Sequence, residues 1–394
     1  MSNPRRARCG AQCLRCYSFD NHLEDYARAQ PVSPTQSECK VYSAYLGEVP
    51  VLCNRVSEDI VELVASVPGI TPAQPNITVK CLDAVHHGLR VLDQDYPLRQ
   101  LSALAATQVS LSKCKANSET IAALAPRRDT LNPDELKQLY DAYIYNGAVD
   151  AHFAAVLFLE FVHANFPGVN NIIPNAQLIS VCNVPNYDNA FFSGKYMVYG
   201  NGDPRTRSYF PMVTLDTAGH ELGHGLNHLM AQVVYQGPSG SLDEGYADIH
   251  GAMLEFFAYK KYPFLVGSAD WLQGEDNGFK VKVLRNMQDP FLSDPPQPRE
   301  YQGQYYENPH LRQDSGGVHQ NCSIVNRAFY LDATARGLNA AYSDFCKAYK
   351  GLRYISTFTT WRDLLKKVSQ NAPSVVAALD AVKLTATATN DWRV

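Results

Sequence analysis

The sequence has no long uninterrupted run of apolar residues. Its most apolar stretch, AHFAAVLFLEFVHANF at 151–166, is interrupted by Glu160 and His163, whereas a membrane-spanning helix requires about 20 consecutive, predominantly apolar residues. We therefore expect a buried helix here, and no membrane partner. The arginines near the N-terminus are likewise followed by no apolar segment, so no secretory signal peptide is visible.

The chain also lacks a strong excess of charge of either sign. Its 394 residues carry a formal net charge of −4, and 19% of them are charged. Proteins that bind nucleic acid or anionic membranes usually present a strongly basic surface, so we expect neither partner. With 45% hydrophobic residues, the chain is long enough to bury a large core and to form two lobes or domains.

Cysteines are scarce after residue 115, because seven of the ten precede it. Four of them crowd the first forty residues, at Cys9, Cys13, Cys16 and Cys39. This cluster could hold zinc or an iron–sulfur cluster, but the second CxxC pair of a typical zinc site is missing. Disulfides or free thiols explain it equally well. The cysteines therefore leave both the cluster's role and the compartment open.

Three zones follow one another along the chain. Residues 1–40 are polar and cysteine-rich and end in the linker-like PVSPTQSE, so we interpret them as an N-terminal extension. From residue 41 to about 130, short apolar stretches between turn residues predict strands and loops. Helical patterns follow from NPDELKQLYDAY onward, where Asn132 before Pro133 predicts a helix N-cap.

The stretch DTAGHELGHGLNHLMAQ (216–232) carries three histidines along one predicted helix, His220, His224 and His228. Residues i and i+4 lie one turn apart on the same face, so His220 and His224 can bind one ion while Glu221 points toward a bound water. His228 lies about 12 Å along the axis from His220. Because bonds from imidazole nitrogen to zinc are about 2.0–2.1 Å, one ion cannot bind both, and the first pair is the predicted site.

By itself, the His-Glu-x-x-His pattern also fits two histidines on a partly exposed helix face. A hydrolytic zinc needs three protein ligands and an open position for water. Glu244 follows His224 by twenty residues, in a second helical pattern, LDEGYADIHGAMLEFFAY, that can fold back beside the first. Asp248 lies one turn further on the same face, where it could accept a hydrogen bond from a ligand histidine. Alone, these carboxylates would indicate a solvated acidic face, but the combination favours a metal site.

Together these motifs resemble the thermolysin family of zinc metallopeptidases. The resemblance rests on HELGH, nineteen residues, then EGYAD. Three further segments occur in the family's order: NYDNAFFSGKYMVYGNGD (186–203), VLRNMQDP (283–290) and DSGGVHQNCSIVNRAFYL (314–331). The similarity is firm from about residue 150 to 331 and weaker on either side.

The resemblance implies a two-lobed α+β fold, with a β-containing N-terminal lobe, a mostly helical C-terminal lobe and zinc in the cleft between them. We assign residues 41–218, which include the substrate-edge segment, to the first lobe and 219–394 to the second. The implied activity is that of a zinc endopeptidase, which hydrolyses peptides or proteins with a zinc-activated water and a glutamate general base. The alternatives are an exopeptidase of the same glutamate-ligand group and a zinc-binding protein without turnover.

The resemblance also implies a role for each matching residue. The residues that would bind the one catalytic zinc are His220, His224 and Glu244. Those that would take part in catalysis are Glu221 as general base, Tyr235 and His319 as hydrogen-bond donors to the oxyanion, and Asp314 as the residue that orients His319. Those that would hold the substrate peptide are Arg285, Asn189 and the backbone of Ala190. Asp248 would support His220.

Calcium is the second ion that the resemblance implies, with one site per chain. Its ligands would be carboxylates, which suit this hard cation, at Asp216, Glu255, Asp270 and Glu275. Leu272 stands where some family members have a further acidic ligand, so we expect a single ion rather than a pair.

Three features depart from the family pattern. The signal peptide and long inhibitory propeptide usual in the family are not evident, so secretion, non-classical export and a cytoplasmic location all stay open. Gly219 and Gly223 stand in the zinc helix where bulkier residues are common, and each should destabilise it by about 0.5–1 kcal/mol relative to alanine. Thr217 stands where an apolar residue often lines the pocket after the scissile bond. A preference for large apolar side chains there is therefore only partly supported.

Residues 1–40 could regulate such a peptidase. They precede every residue with an implied catalytic role and offer little apolar surface to a core. Docked on the enzyme, they could cover the cleft or present a cysteine thiolate to the zinc, which would be an intramolecular inhibition. A tail without effect, either disordered or tied by disulfides, is an equal alternative.

Overall fold

The computed structural model describes residues 36–71, 74–84, 98–166, 177–203, 208–263 and 269–389. Within these ranges the chain forms two compact units. The first takes its residues from 36–225 and 250–284, and the second from 226–249 and 285–389.

The first unit contains two β-sheets. One consists of the strands β1 (Gln36–Tyr42), β2 (Glu48–Arg55), β3 (Ile60–Glu62) and β6 (Gln108–Ser110), in the order β1-β2-β3-β6. The other consists of β4 (Val64–Thr71), β5 (Gln74–Asp83), β7 (Gln177–Val184), β8 (Ala190–Phe192) and β9 (Met197–Gly200), in the order β4-β5-β7-β9-β8. In this second sheet β7 lies parallel to both β5 and β9, and its sequence QLISVCNV is buried from Leu178 onward.

The helices follow in chain order. Those that precede the candidate metal ligands are α1 (Leu98–Ala103), α2 (Leu111–Leu124) and α3 (Pro133–Asn165). The two that carry His220, His224 and Glu244 are α4 (Leu215–Met230) and α5 (Gly237–Lys261). After the short strands β10 (Leu272–Gln273) and β11 (Arg285–Asn286) come α6 (Asp314–Asn321), α7 (Ser323–Arg336), α8 (Leu338–Lys350), α9 (Phe358–Val368) and α10 (Pro373–Ala381). A β-rich first part followed by helices confirms the α+β class.

Helix α3 is the central helix of the first unit. Asn132 caps it as predicted, because its side chain accepts hydrogen bonds from the backbone of Asp134 and Glu135 while the Glu135 side chain accepts from the Asn132 backbone. By length and composition alone α3 could cross a membrane, but 83% of its most apolar window is buried in the protein. The prediction of a buried helix at 151–166 is therefore confirmed over the residues that α3 covers.

Two segments differ from the zones that the sequence predicted. Helix α2 lies where only strands and loops were expected; Ser110 caps it by accepting a hydrogen bond from the Lys113 backbone, and Cys114, Ile121 and Leu124 are its buried residues. Polar residues occupy most of its other positions, which hid its single apolar stripe. At the N-terminal end, strand β1 already includes residues 36–40, which we had placed in the extension.

The seven cysteines in the described residues, from Cys39 to Cys346, are all free and buried. Cys81 and Cys182 lie on the neighbouring strands β5 and β7, with their Sγ atoms 3.5 Å apart. Cys9, Cys13 and Cys16 lie outside the described residues, so the metal, disulfide and free-thiol interpretations of the N-terminal cluster all stay open.

Aromatic side chains form the core of the second unit. The Tyr246 hydroxyl donates a hydrogen bond to the Phe345 carbonyl at 2.7 Å and accepts one from Trp361 Nε1 at 2.9 Å. Because buried polar groups need partners, this chain of bonds fixes α5 against α8 and α9 and gives the part of α5 that carries Glu244 a rigid support.

Candidate metal centre and active site

Helix α4 presents the first two candidate ligands. Ala218, Leu222 and Leu226 are buried and hold the helix in place. The opposite positions carry His220 and His224, whose Nε2 atoms lie 3.0 Å apart with their rings nearly perpendicular. Two nitrogens bound to one tetrahedral zinc at 2.0–2.1 Å would lie about 3.3 Å apart, so the imidazoles are arranged nearly as zinc requires.

Glycine has a packing role in α4 that the sequence did not reveal. A Cβ at Gly219 would lie 2.9 Å from the Cα of Gly251 on α5 and 3.1 Å from a Leu254 side-chain carbon. Real side chains do not approach so closely, so the two backbones pack through glycine. Glycine at position 219 lowers the helix propensity of α4, but it lets α4 pack closely against α5 around Gly251.

Glu244 is the third candidate ligand. Its side chain is 1% exposed, and it accepts a hydrogen bond from the Tyr235 hydroxyl. His319 Nε2 lies 3.3 Å from Glu244 Oε1, and Arg285 Nη2 lies 3.5 Å from its Oε2.

The ligand atoms of His220, His224 and Glu244 all lie within 4.8 Å of one another. Two imidazole nitrogens and a carboxylate oxygen are a donor set that zinc accepts in catalytic sites. The residues present therefore fit zinc. His228 is half-buried at the far end of α4 and is not part of this group.

His319 is held by an unusual turn at the start of α6. Residues 314–317 all have positive φ, between 48° and 84°. A Cβ at Gly316 would lie 2.4 Å from the Pro309 carbonyl oxygen, so this turn needs glycine there. The turn brings Asp314 beside His319: one carboxylate oxygen accepts from the His319 backbone N–H at 3.0 Å and the other lies 2.5 Å from Nδ1. This contact leaves Nε2 as the ring nitrogen that faces away from Asp314, and it brings together the two residues that the resemblance pairs.

Asp248 and Arg285 form a buried ion pair. Arg285 Nη1 donates to Asp248 Oδ1 at 3.0 Å, and Asn326 Nδ2 donates to Asp248 Oδ2 at 2.7 Å. All three side chains are buried. Asn326 had not been singled out; it lies in the 314–331 segment, but no local spacing indicates that it would meet Asp248 on α5.

The predicted substrate-edge residues lie at the end of a sheet. Strand β8, which begins at Ala190, pairs only with β9 in the described sheet. The Asn189 carbonyl accepts a hydrogen bond from the Gly200 backbone at 2.9 Å. An edge strand leaves one row of backbone N–H and C=O groups open, which can pair with an extended peptide.

Carboxylates gather in a second cluster beside α4. Oxygens of Glu255, Glu275 and Asp276 lie within 4.8 Å of one another. Asp216 accepts a hydrogen bond from the Gly274 backbone, and the Asp270 backbone donates to Glu255 at 3.4 Å. The four residues implied by the resemblance thus lie near one another, and Asp276 joins them as a member that we had not predicted.

Burial and mutual repulsion disfavour the ionised form of the carboxyl groups in this cluster. Burial, and then the neighbouring carboxylates, raise the pKa of Glu255 to about 9 and that of Glu275 to about 10. Burial and the same neighbours raise the pKa of Asp276 to about 6. A bound divalent cation would remove this repulsion, so the cluster is chemically suited to calcium.

Two family descriptions match the chain: "Thermolysin metallopeptidase, catalytic domain" over residues 93–228 and "Thermolysin metallopeptidase, alpha-helical domain" over residues 231–389. The thermolysin of Alicyclobacillus acidocaldarius subsp. acidocaldarius is 36% identical over 197 residues, which are 49% of this chain and 33% of that protein. The bacillolysin of Brevibacillus brevis is 36% identical over 206 residues, or 50% of this chain and 35% of that protein. The chain thus spans about a third of the length of these curated relatives.

A solved structure is also similar. The precursor of protealysin, a metalloproteinase from Serratia proteamaculans, superimposes with a TM-score of 0.51 at 27% sequence identity. The match covers 61% of this chain and 79% of that one.

Proposed function

Because the chain belongs to the thermolysin metallopeptidase family, we propose that it is a zinc-dependent endopeptidase that cleaves peptides and proteins. The observation that carries the proposal is the group of His220, His224 and Glu244, whose ligand atoms lie within 4.8 Å of one another, with Glu221 beside the first ligand. Zinc bound by these residues would polarise the scissile carbonyl and lower the pKa of an attacking water.

Glu221 is the proposed general base. It follows His220 directly on α4, so its side chain would lie about 100° around the helix axis from the histidine pair, on the side where the proposed water would attack. Its side chain is buried, at 6% exposure, and a carboxylate held in a largely dry site can take a proton from water and pass it to the leaving amine.

Tyr235 and His319 are the proposed oxyanion donors. The Tyr235 hydroxyl lies 3.1 Å from His319 Nε2, so the two donors converge on one small region next to Glu244. Removing one donor of this kind typically costs about 2.7–4 kcal/mol of transition-state stabilisation. Asp314 would keep His319 in the donating orientation.

Three further residues are proposed to position the peptide. Asn189 and the backbone of Ala190 would align it along the open edge of β8. Arg285, held rigidly by Asp248, would bind the carbonyl on the leaving-group side of the scissile bond. The buried pairing of Arg285 supports a fixed orientation, which is what a positioning residue requires.

Calcium is the proposed structural ion. Asp216, Glu255, Asp270, Glu275 and Asp276 would share its coordination. The raised pKa values of Glu255, Glu275 and Asp276 and the mutual proximity of their oxygens support a cation there, and the oxygen donors are those that calcium prefers.

We also propose that the N-terminal residues inhibit the peptidase intramolecularly. The similar solved chain is a precursor of protealysin, which supports an N-terminal regulatory role in this chain. Residues 1–35 lie outside the described part of the structure.

A cleavage assay tests the proposed function. Purified protein should hydrolyse casein and internally quenched peptides, contain about one zinc per chain, and lose activity with a zinc chelator. Mass spectrometry of the products distinguishes internal cleavage from release of terminal residues. Zinc-loaded protein that cleaves no peptide bond would contradict the proposal in favour of a binding protein, and terminal trimming alone would indicate an exopeptidase.

A further inference from the structure

Tyr235 lies in a connection that has no regular secondary structure of its own. Helix α4 ends at Met230 and α5 begins at Gly237, and residues 231–236 between them contain no helix or strand. The position of a proposed oxyanion donor depends on its backbone as well as on its hydroxyl, and a misplacement of about 1 Å can cost about 10²-fold in rate. The contacts that hold this connection therefore matter for the proposed reaction.

The connection between α8 and α9 holds the chain on both sides of Tyr235. One residue before Tyr235, the Val234 backbone N–H donates to the Tyr354 carbonyl at 2.7 Å. Four residues after it, the Ser239 hydroxyl donates to the Ser356 carbonyl at 2.6 Å and accepts from the Ser356 backbone N–H at 2.8 Å. Ser239 and Ser356 are fully buried, at 0% exposure, so water does not compete for the two bonds of the Ser239 hydroxyl.

The connection between α8 and α9, residues 351–357, is itself fixed by local bonds. The Ser356 hydroxyl accepts from the Arg353 backbone N–H at 2.9 Å and donates to the Arg353 carbonyl at 3.1 Å. Thr357 then forms the N-cap of α9. A turn that is closed in this way offers its backbone groups to Ser239 in a set geometry.

Glycine brings the first turn of α5 directly against Tyr235. A Cβ placed on Gly240 would lie 3.0 Å from the Tyr235 carbonyl carbon and 2.5 Å from a Val318 methyl carbon. Val318 immediately precedes His319, the other proposed oxyanion donor. The helical turn that carries Ser239 thus packs against the backbone of Tyr235, so a shift of this turn would also shift Tyr235.

We propose that Ser239 is a positioning residue for the reaction: by bonding to both backbone groups of Ser356, it holds Tyr235 so that the Tyr235 hydroxyl stays directed at the oxyanion. The inference rests on the proposed endopeptidase function. Ser239 itself would not touch the substrate, because its side chain is fully buried. Without its hydroxyl, the N–H and C=O of Ser356 would be buried without these partners, which is costly enough to move the turn.

A double-mutant cycle tests this role. In Ser239→Ala, kcat on a quenched peptide should fall by about tenfold while KM stays within about twofold, because the lost interaction acts on the transition state. Tyr235→Phe removes the donor hydroxyl itself and should lower kcat by about 10²–10³-fold. In the Tyr235→Phe background, Ser239→Ala should lower kcat further by less than about twofold, because its effect passes through the missing hydroxyl.

Ser241→Ala is the matched control. Ser241 is an equally buried serine on the same helix, and its hydroxyl donates to the Gly237 carbonyl within α5. The substitution should leave kcat within about twofold of wild type. If circular dichroism shows that Ser239→Ala does not fold, Ser356→Ala replaces it in the cycle, because it opens the supporting turn from the other side. Zinc content is measured throughout, and loss of zinc in Ser239→Ala would overturn the positioning role by assigning the effect to Glu244.

The outcomes separate this inference from the proposed function. An equal loss from Ser239→Ala in the wild-type and Tyr235→Phe backgrounds, or no loss in either, would overturn the positioning role while leaving endopeptidase activity established. If the wild-type protein cleaves no peptide, the endopeptidase proposal fails, and calorimetric binding of a phosphonopeptide, whose tetrahedral anion resembles the oxyanion, decides the inference. Binding that weakens about tenfold in Ser239→Ala, but is unchanged by it in the Tyr235→Phe background, supports the positioning role; equal or absent binding overturns it.

Discussion

Glu221 and the histidines of α4 show how neighbouring residues of one helix can have different roles. His220 and Glu221 are both buried, at 8% and 6% exposure, yet only the former belongs to the candidate metal group with His224 and Glu244. The proposed base is next to the candidate ligand His220 in sequence but turned about 100° around the helix axis. A substitution at Glu221 should therefore remove proton transfer without removing a candidate metal ligand.

At the scale of a single residue, we predict that Glu221→Gln retains zinc but loses peptidase activity by about 10²–10⁴-fold, because an amide cannot accept a proton from water. Metal analysis and kcat/KM on one quenched peptide measure the two quantities.

Two variants control this experiment. Glu119→Gln, on the exposed surface of α2, should leave activity unchanged. His228→Ala removes a histidine that lies too far along α4 to share the ion, so zinc content should be unchanged as well. Activity of Glu221→Gln within tenfold of wild type would contradict the assignment of the base.

At the scale of a single element, helix α3 buries two titratable residues half a turn apart. Asp150 Oδ2 accepts a hydrogen bond from the Ala44 backbone at 2.7 Å, and burial raises the pKa of Asp150 to about 7. His152 Nε2 donates to the Leu52 carbonyl at 2.8 Å, and burial lowers the pKa of His152 to about 4. In the folded chain both residues are therefore neutral between about pH 4 and pH 7.

The two shifts act on stability in opposite directions. For Asp150 the folded chain holds a proton that the unfolded chain has released, so its contribution falls as pH rises from about 4 to 7. For His152 the unfolded chain binds a proton that the folded chain does not, so its contribution is lost as pH falls from about 6.5 toward 4. Between about pH 4 and pH 6.5 the contributions of Asp150 and His152 to the free energy of unfolding change in opposite directions and largely cancel.

We predict that His152→Gln separates the contribution of His152 from that of Asp150. At pH 7.5 the histidine is neutral in the folded and the unfolded chain, so the variant loses stability only through lost packing and hydrogen bonding. At pH 4.5 the wild type is also destabilised by about 2–3 kcal/mol through protonation of the unfolded histidine, at about 1.36 kcal/mol per pKa unit. The variant escapes this loss, so its stability deficit should shrink at the lower pH.

Urea unfolding of both proteins at pH 4.5 and 7.5 measures this change. His163→Gln, whose side chain is exposed on the same helix, controls for the removal of a histidine from α3. A deficit of His152→Gln that is equal at the two pH values would show that the buried ring does not stay neutral.

At the scale of the whole molecule, the acidic cluster should couple calcium to stability. An ion that binds only the folded chain adds about 2.7 kcal/mol at a concentration 100 times its Kd. We predict that calcium raises the Tm of calcium-free protein by about 3 °C and slows self-digestion.

Differential scanning calorimetry with and without calcium measures the shift. Glu255→Gln should reduce it, because one ligand is replaced by a neutral amide, whereas Glu119→Gln should keep it. An unchanged Tm on adding calcium to the wild type would contradict the proposed calcium site.

The proposed inhibition by the N-terminal residues also concerns the whole molecule. A deletion should end at residue 35, because strand β1 begins at Gln36 and pairs with β2 along seven residues. We predict that deletion of residues 1–35 raises peptidase activity at unchanged zinc content, since it would remove an intramolecular inhibitor. Equal activity of the two proteins, measured on the same quenched peptide, would reduce the segment to a tail without effect.

The geometry of the histidine pair follows from local periodicity. The four-residue spacing puts His220 and His224 on one face of any α-helix, and the same rise along the axis excludes His228. The N-cap at Asn132 is equally local, since it depends on bonds to residues two and three positions away. The resemblance of four ordered segments then pointed to the family without any knowledge of packing.

Tertiary packing alone decided which distant residues meet. No period in the sequence predicts that Asn326 would bond to Asp248, that Asp276 would join the acidic cluster, or that Gly219 would face Gly251. The amide of Asn277, 3.5 Å from the Thr217 hydroxyl, is a further example, because the two residues are far apart in the chain. Contacts of this kind depend on how elements pack, and packing is set by the summed fit of many side chains, which a local sequence pattern does not encode.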